Sequence, residues 1–381
     1  MTVLNRQQKT DILARGFTRR SFGRIGALLG AGAALPFYNE PALAQLSRLR
    51  SPLPPGAVKI NANENPLGPC PEALDAMRKA LVDGGRYQYE ETFSYAQTLA
   101  EQEGVPANYV LPFAGSSDPL HRVVLAYASP EKAFVTADPG YEAGERAARY
   151  IGAKVAKVPL TKEYGHDVKG MLSAHASPGV FYICNPNNPT GTTTPRADIE
   201  YLLANKPAGS ILLLDEAYIH FTDEPFGTDL VAKDKDVIVL RTFSKLYGMA
   251  GLRAGAAIGR PDLLAKIMNY GAGAMPATGM AGAKASLLSK PLVAERKKIV
   301  RDIRNDQFAF LDKQRIPFVP SVSNKFMMDV RQPAQEFVAK MQAEKIFVGR
   351  SWPAWPTHVR VTVGTMDEMK KFQAAVRKVL A

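Results

Sequence analysis

The chain is expected to fold as α/β: a large α/β/α domain around a mostly parallel central sheet, joined to a smaller α+β domain. Three observations carry this expectation. Short apolar runs bounded by turn residues recur at 132–136, 154–158, 180–184, 211–214, 237–240 and 254–258, and they are continuous rather than alternating, as in strands buried on both faces. Helical stretches such as 141–152 and 196–206 lie between them, which is the spacing of strand–helix–strand units. From about Lys284 the pattern changes to a long charged helix running through 309, then short strands, then a final helix at Met366–Leu380.

Composition limits the remaining choices. With 381 residues, 46% hydrophobic and 22% charged, the chain is neither disordered nor collagenous, and its two cysteines make no disulfide scaffold. The length suggests about two domains. Cys184 ends an apolar run, so Cys70 and Cys184 are expected as free, packed thiols. The formal charge of +12 raises the question of an acidic partner. No basic run interleaved with aromatic residues occurs, so nucleic acid is not expected.

Taken in order, residues 1–44 differ in kind from the rest. They hold six cations against two anions, then an eleven-residue apolar run at 25–35, then Ala42-Leu-Ala44 with small residues at the spacing of a signal-peptidase site. A span needs about 20 apolar residues, so no permanent membrane anchor is expected. Thr18-Arg-Arg-Ser-Phe-Gly-Arg24 resembles the twin-arginine export motif. The expectation is a removable leader, the twin-arginine machinery as a partner, and an exported, periplasmic protein. Residues 45–84 are rich in proline and read as extended chain before a helix near 72–83, contributing to the small domain. Residues 85–283 are assigned to the large domain and 284–381 to the small one.

In open α/β sheets ligands sit beyond the carboxyl ends of the strands. There the sequence places Asn185-Pro-Asn-Asn-Pro-Thr-Gly191, Asp215-Glu-Ala-Tyr218, and Arg241-Thr-Phe-Ser-Lys245 followed by Arg253. Each cluster alone reads as a turn, a cap or a surface charge. Together they fit one chemistry. A lysine with a lowered pKa forms a Schiff base with an aldehyde, and a buried carboxylate keeps a pyridine nitrogen protonated so that the ring withdraws electrons. Hydroxyls, a helix N-terminus and a forked arginine hold a phosphate dianion. The cofactor so described is pyridoxal 5′-phosphate, and no metal is implied.

These motifs resemble the fold-type-I, class I/II pyridoxal-phosphate aminotransferases, most closely the histidinol-phosphate aminotransferase branch. The resemblance runs from Ile60-Asn-Ala-Asn-Glu-Asn-Pro-Leu-Gly-Pro69 to His358-Val-Arg-Val-Thr-Val-Gly-Thr365. It implies that Lys245 carries the cofactor and shuttles the proton at the substrate Cα, that Asp215 pairs with the pyridinium, and that Tyr218 and Asn188 donate to the ring oxygen. Tyr141 would stack on the ring. Thr242, Ser244, Arg253 and Gly115-Ser116-Ser117 would hold the phosphate, and Tyr87 would reach the phosphate of a neighbouring subunit, which makes a homodimer part of the expectation. Arg360, with Asn188, would bind the substrate carboxylate, and Arg350 is a second candidate for an anionic group.

Two departures stand out. Ser117-Asp118 replaces the acidic pair common in the family. Leu53 stands in Ser51-Pro-Leu-Pro-Pro-Gly56 where the branch often has tyrosine, and a lost hydroxyl over the substrate side chain argues against histidinol phosphate. The expected function is a ping-pong transfer of an amino group between an amino acid, or an amino-alcohol phosphate, and a 2-oxo acid. Racemisation, decarboxylation or elimination on the same cofactor, or a non-catalytic binding relative, remain the alternatives.

Overall fold

The computed structural model describes residues 6–18, 53–270 and 274–380. The twin-arginine motif beyond Thr18, the apolar run at 25–35 and the small residues at 42–44 lie outside the described residues. Helix α1 (Arg6–Ala14) opens the chain. Strand β1 (Val58–Ile60), α2 (Pro71–Ala80), α3 (Tyr89–Glu103), β2 (Val110–Phe113) and α4 (Ser117–Tyr127) follow. Next come β3 (Ala133–Asp138), α5 (Ala143–Tyr150), β4 (Val155–Pro159), α6 (Val168–Ser173), β5 (Pro178–Cys184) and α7 (Arg196–Asn205). The sheet is completed by β6 (Ile211–Asp215), α8 (Thr228–Ala232), β7 (Val237–Thr242) and β8 (Gly255–Gly259), with α9 (Pro261–Met268) behind it. The C-terminal part holds α10 (Ala277–Leu288), α11 (Leu292–Lys313), β9 (Phe318–Val319), β10 (Lys325–Asp329), α12 (Ala334–Ala343), β11 (Ile346–Val348), β12 (His358–Thr362) and α13 (Met366–Leu380).

The seven-stranded central sheet has the order β2-β8-β7-β6-β5-β3-β4. Strands β4, β3, β5, β6 and β7 are mutually parallel, and every residue of β5, β6 and β7 is buried, which explains their unbroken apolar composition. Strand β8 is antiparallel to both β7 and β2. The link at 243–254 holds only turns, and a parallel return needs a crossover helix. The smaller sheets are β12-β10-β9, antiparallel, and β1 paired in parallel with β11. The single long helix expected from 284 to 309 is two helices, α10 and α11. They are separated at Ser289–Pro291, because proline lacks an N–H and disfavours the helical conformation in the residue before it. Helix α3 and strand β2 occupy a stretch for which the sequence pattern singled out no element.

A buried ion cluster ties α3 to the sheet. Arg241 on β7 donates through Nε and Nη2 to Glu103 at 2.6 and 2.8 Å and through Nη1 to Glu216, with Thr228 Oγ1 donating to Glu103 at 3.0 Å. All three charged side chains are nearly inaccessible. Buried charges of this kind are held only while paired. Both cysteines are free and buried. Among the described residues no helix is long and apolar enough to cross a membrane.

Two outcomes are expected. Glu103→Ala leaves Arg241 short of a partner in a dry site and lowers stability by about 3–5 kcal/mol, measured by denaturant unfolding. His166 and His220 are each held neutral by burial, with pKa values lowered to about 4. Above the ordinary histidine value both folded and unfolded states are neutral, so these groups cost nothing there. Between about pH 6.5 and 4 only the unfolded state takes up protons, and stability falls by up to about 3 kcal/mol per histidine, read as a decreasing unfolding midpoint across that window.

Candidate active site

The carboxyl ends of β3, β5, β6 and β7 meet on one rim, and a cavity of about 190 Å³ opens there. Its walls include Ser116, Ser117, Tyr141, Asn188, Asp215, Tyr218, Thr242, Ser244, Lys245 and Arg253. Residues far apart in sequence converge because parallel strands present their following turns side by side.

Asp215 ends β6 and is 3% exposed. Burial raises its pKa, and four things oppose that: the Tyr182 hydroxyl donating at 2.8 Å, the Ala217 N–H donating at 3.1 Å, and the charges of Lys245 and Lys325. Lys245 Nζ donates to Ala62 O at 3.4 Å and stands 5.6 Å from the centre of the Tyr218 ring. The Tyr218 hydroxyl accepts from Asn63 Nδ2 at 2.9 Å.

Ser116 and Ser117, the N-cap and first residue of α4, place a helix N-terminus at the cavity. Arg253 donates to Ser244 Oγ at 3.2 Å and to the carbonyls of Ala250 and Ala114 at 3.0 Å each, and Thr242 Oγ1 donates to Ser244 Oγ at 3.0 Å. Gly115 has φ +95°, and a Cβ there would run into the Arg253 guanidinium. Only glycine lets the arginine lie along this loop. Asp118 faces along its own helix, where Arg122 holds both carboxylate oxygens at 2.8 and 3.1 Å.

Four expected residues stand apart from the cavity wall. Gly115 lies behind Arg253. Tyr87 is 71% exposed and stacks on Tyr89. Arg360, fully buried on β12, donates to Asn188 Oδ1 at 2.9 Å and to Asn61 O at 2.6 Å, so it adjoins the site through Asn188. Arg350 forms a forked pair with Glu142, the residue after Tyr141, at 2.6 and 2.8 Å and lies over the Trp352 ring.

Sequence reasoning assigned no role to Ala62, Glu64, Cys184 and Ala217, which also line the cavity, or to Tyr182 and Asn63, which bond to Asp215 and Tyr218. The repeated asparagines in Asn61-Ala-Asn-Glu-Asn65 were the available signal. Asn63 has φ +54°, and Asn65 Nδ2 donates to Leu246 O at 2.8 Å, next to Lys245.

The pattern of the family described as aminotransferase class I and II matches residues 55–376. The chain belongs to the class I and II aminotransferases. It is similar to histidinol-phosphate aminotransferase 2 of Pseudomonas fluorescens (strain Pf0-1), with 34% identity over 355 residues, 91% of this chain and 95% of that protein. It is also 33% identical to histidinol-phosphate aminotransferase 1 of Nitrosococcus oceani over 336 residues, 85% of this chain and 89% of that one. The solved structure of histidinol-phosphate aminotransferase from Sinorhizobium meliloti in complex with pyridoxal-5′-phosphate superposes with a TM-score of 0.80 at 27% identity, covering 91% of this chain and 95% of that one. The protein is therefore a pyridoxal-phosphate-dependent aminotransferase with the fold of its relatives.

The donor set of this aminotransferase fits its cofactor. A buried carboxylate relieved by cations suits a pyridinium, and the Gly115–Arg253 cradle at a helix N-terminus suits a phosphate dianion. Pyridoxal phosphate, when bound, supplies an aldehyde for an amine and a protonated ring that draws electrons from the substrate Cα.

Asp215→Asn removes the buried carboxylate charge that suits a pyridinium. Loss of one member of a buried charged pair costs about 2–5 kcal/mol, so cofactor affinity is expected to fall by about 30-fold or more, measured by titrating the apoprotein with pyridoxal phosphate.

Proposed function

We propose that the aminotransferase transfers an amino group from an α-amino acid to a 2-oxo acid in two half-reactions, with Lys245 as the amine that carries the cofactor. The observation that carries the reading is the convergence of Lys245, Asp215, Tyr218, Asn188, Ser116, Ser117 and Arg253 on one cavity. Lys245, released when substrate takes its place, moves the proton at the substrate Cα. Tyr141 would stack on the cofactor ring, and its segment is steadied by its neighbours: Glu142 pairs with Arg350, and Trp352 Nε1 donates to Gly140 O at 2.9 Å. Arg360 is the anchor for the substrate carboxylate, its fork matching two oxygens beside Asn188.

The relatives named above act, by their names, on histidinol phosphate. For this chain an α-amino acid is the proposed donor, because Leu53 offers no hydroxyl and Arg350 is already paired with Glu142. A homodimer is supported by the apolar side chains exposed along one segment, Leu81, Val82, Tyr87, Tyr89 and Phe93. So concentrated a patch marks an interaction surface, and Tyr87 within it is the group proposed to reach the neighbour's phosphate site. Export through the twin-arginine route, with removal of residues 1–44, is supported by the order of basic stretch, apolar run and small residues in the sequence.

Mixing the protein with a panel of amino acids and with histidinol phosphate should convert bound cofactor to its pyridoxamine form with at least one amino acid; no conversion with any donor overturns transamination. Lys245→Ala is expected to lose about 10²–10⁴-fold or more in turnover and to lose borohydride trapping of the cofactor. Protein recovered from outside the cytoplasm should begin near Gln45 by mass spectrometry, and a chain found only inside with residues 1–44 intact contradicts export.

A further inference from the structure

Residues 6–18 lie ahead of the aminotransferase pattern matched at 55–376, yet they are built onto the large domain. Helix α1 closes with a cap that its own sequence encodes. The Phe17 N–H donates to Ile12 O at 3.3 Å and the Gly16 N–H donates to Leu13 O at 3.0 Å, with Gly16 at φ +81°. Glycine takes this left-handed position without strain. Ile12 and Phe17, the two positions at which such a cap brings apolar side chains together, are both buried, while Asp11, Leu13, Ala14 and Thr18 are exposed.

Arg15, between them, fastens the segment to the fold. Its Nη1 donates to the Tyr270 hydroxyl at 2.6 Å, and its Nη2 donates to the carbonyls of Leu125 and Ala128 at 2.6 and 3.0 Å. Leu125 is in the last turn of α4 and Ala128 is its cap, where carbonyls have no intrahelical N–H partner and the helix dipole favours a cation. Arg15 thus caps from outside the helix whose first residues stand at the cavity. Gly16 also lies against the turn after α4, where a Cβ would meet the Glu131 side chain at 2.8 Å.

We infer that the folded large domain is the receptor for the chain's own residues 6–18, a strap that competes with the export machinery for the start of the leader. Three observations carry this. A helix of nine residues is marginal on its own in water, so α1 depends on the surface that holds it. The groups that Arg15 reaches lie 110, 113 and 255 positions later in the chain, and they meet only in the folded domain. Buried Phe17 directly precedes Thr18-Arg-Arg, so the leading end of the twin-arginine motif is tied to the enzyme while the strap is docked. A partner that needs this stretch binds only the undocked fraction, and its apparent affinity falls accordingly. The competition rests on the export reading; the docking does not.

The test is amide hydrogen exchange of residues 6–18, by mass spectrometry, in the full chain produced without the export machinery so that residues 1–44 remain. Wild-type protein should protect this segment. Tyr270→Phe, which leaves the leader sequence untouched and removes one acceptor from a charged donor, should speed its exchange about tenfold. Exchange at the rate of an unstructured peptide in the wild type, or an unchanged rate in Tyr270→Phe, overturns the docking. If that variant fails to fold by circular dichroism, Gly16→Ala, strained at its positive φ and crowded by Glu131, carries the same expectation and the same overturning result. In cells that have the machinery, the variant's processed form should accumulate faster than that of the wild type; equal or slower accumulation overturns the competition. Failure of the export reading is recognised separately, by wild-type chain that stays inside with residues 1–44 intact whatever its exchange shows.

Discussion

A carboxylate at the end of a wholly buried strand is the constraint around which the rest of this site is arranged. Asp215 is paired across the sheet with Cys184 on one side and Leu240 on the other, so it can neither turn to solvent nor slide in register. Leaving it charged there costs several kcal/mol unless donors and cations surround it. Tyr182, two residues before the end of β5, supplies a hydroxyl, the turn after Asp215 supplies an N–H, and two lysines supply charge. A cofactor with a protonated ring nitrogen would complete the set, turning the cost of burial into a driving force for holding it.

The small domain is as much a part of the site as the sheet. Ser321 packs against Gly191, whose φ of +75° and missing Cβ admit it, so the turn after β5 is held against the strand that carries Lys325. Strand β12 brings Arg360 to Asn188 and Asn61, and Thr362 to Asn63. Asn63 in turn reaches Tyr218. Arg360, Asn188, Tyr218 and the N-terminal segment are thus joined through hydrogen bonds, and movement of the small domain would be felt at the cavity.

Much of the chemistry was legible in linear order because strand ends advertise themselves. The apolar runs of β5, β6 and β7 stop at Asn185, Asp215 and Thr242, and a polar cluster at such a point has a known destination. The turn at Gly115-Ser116-Ser117 was legible as the start of a helix, and that helix N-terminus does reach the cavity. The pairing of Arg350 with Glu142 was not legible: nothing in the sequence relates two residues about two hundred positions apart. The long helix expected at 284–309 was misjudged locally, since the charged periodicity of α11 outweighed the break signalled by Pro291. Tyr182 and Lys325 escaped notice for a different reason. Tyr182 sits among apolar neighbours inside β5 and Lys325 opens β10 after a polar turn, and burial with a specific polar partner leaves no periodic trace.

The sequence by itself determined the layered α/β class, the cofactor and the identities of the groups at the strand ends, because these follow from apolar periodicity, turn residues and the chemistry of short motifs. Tertiary structure alone decided which cations face the cavity and which are already paired, the reversed direction of β8, and the company Lys325 keeps. Charge is a property of a residue, but its effect depends on distance and burial. Those are set only when strands that are remote in the chain come to lie a few ångströms apart.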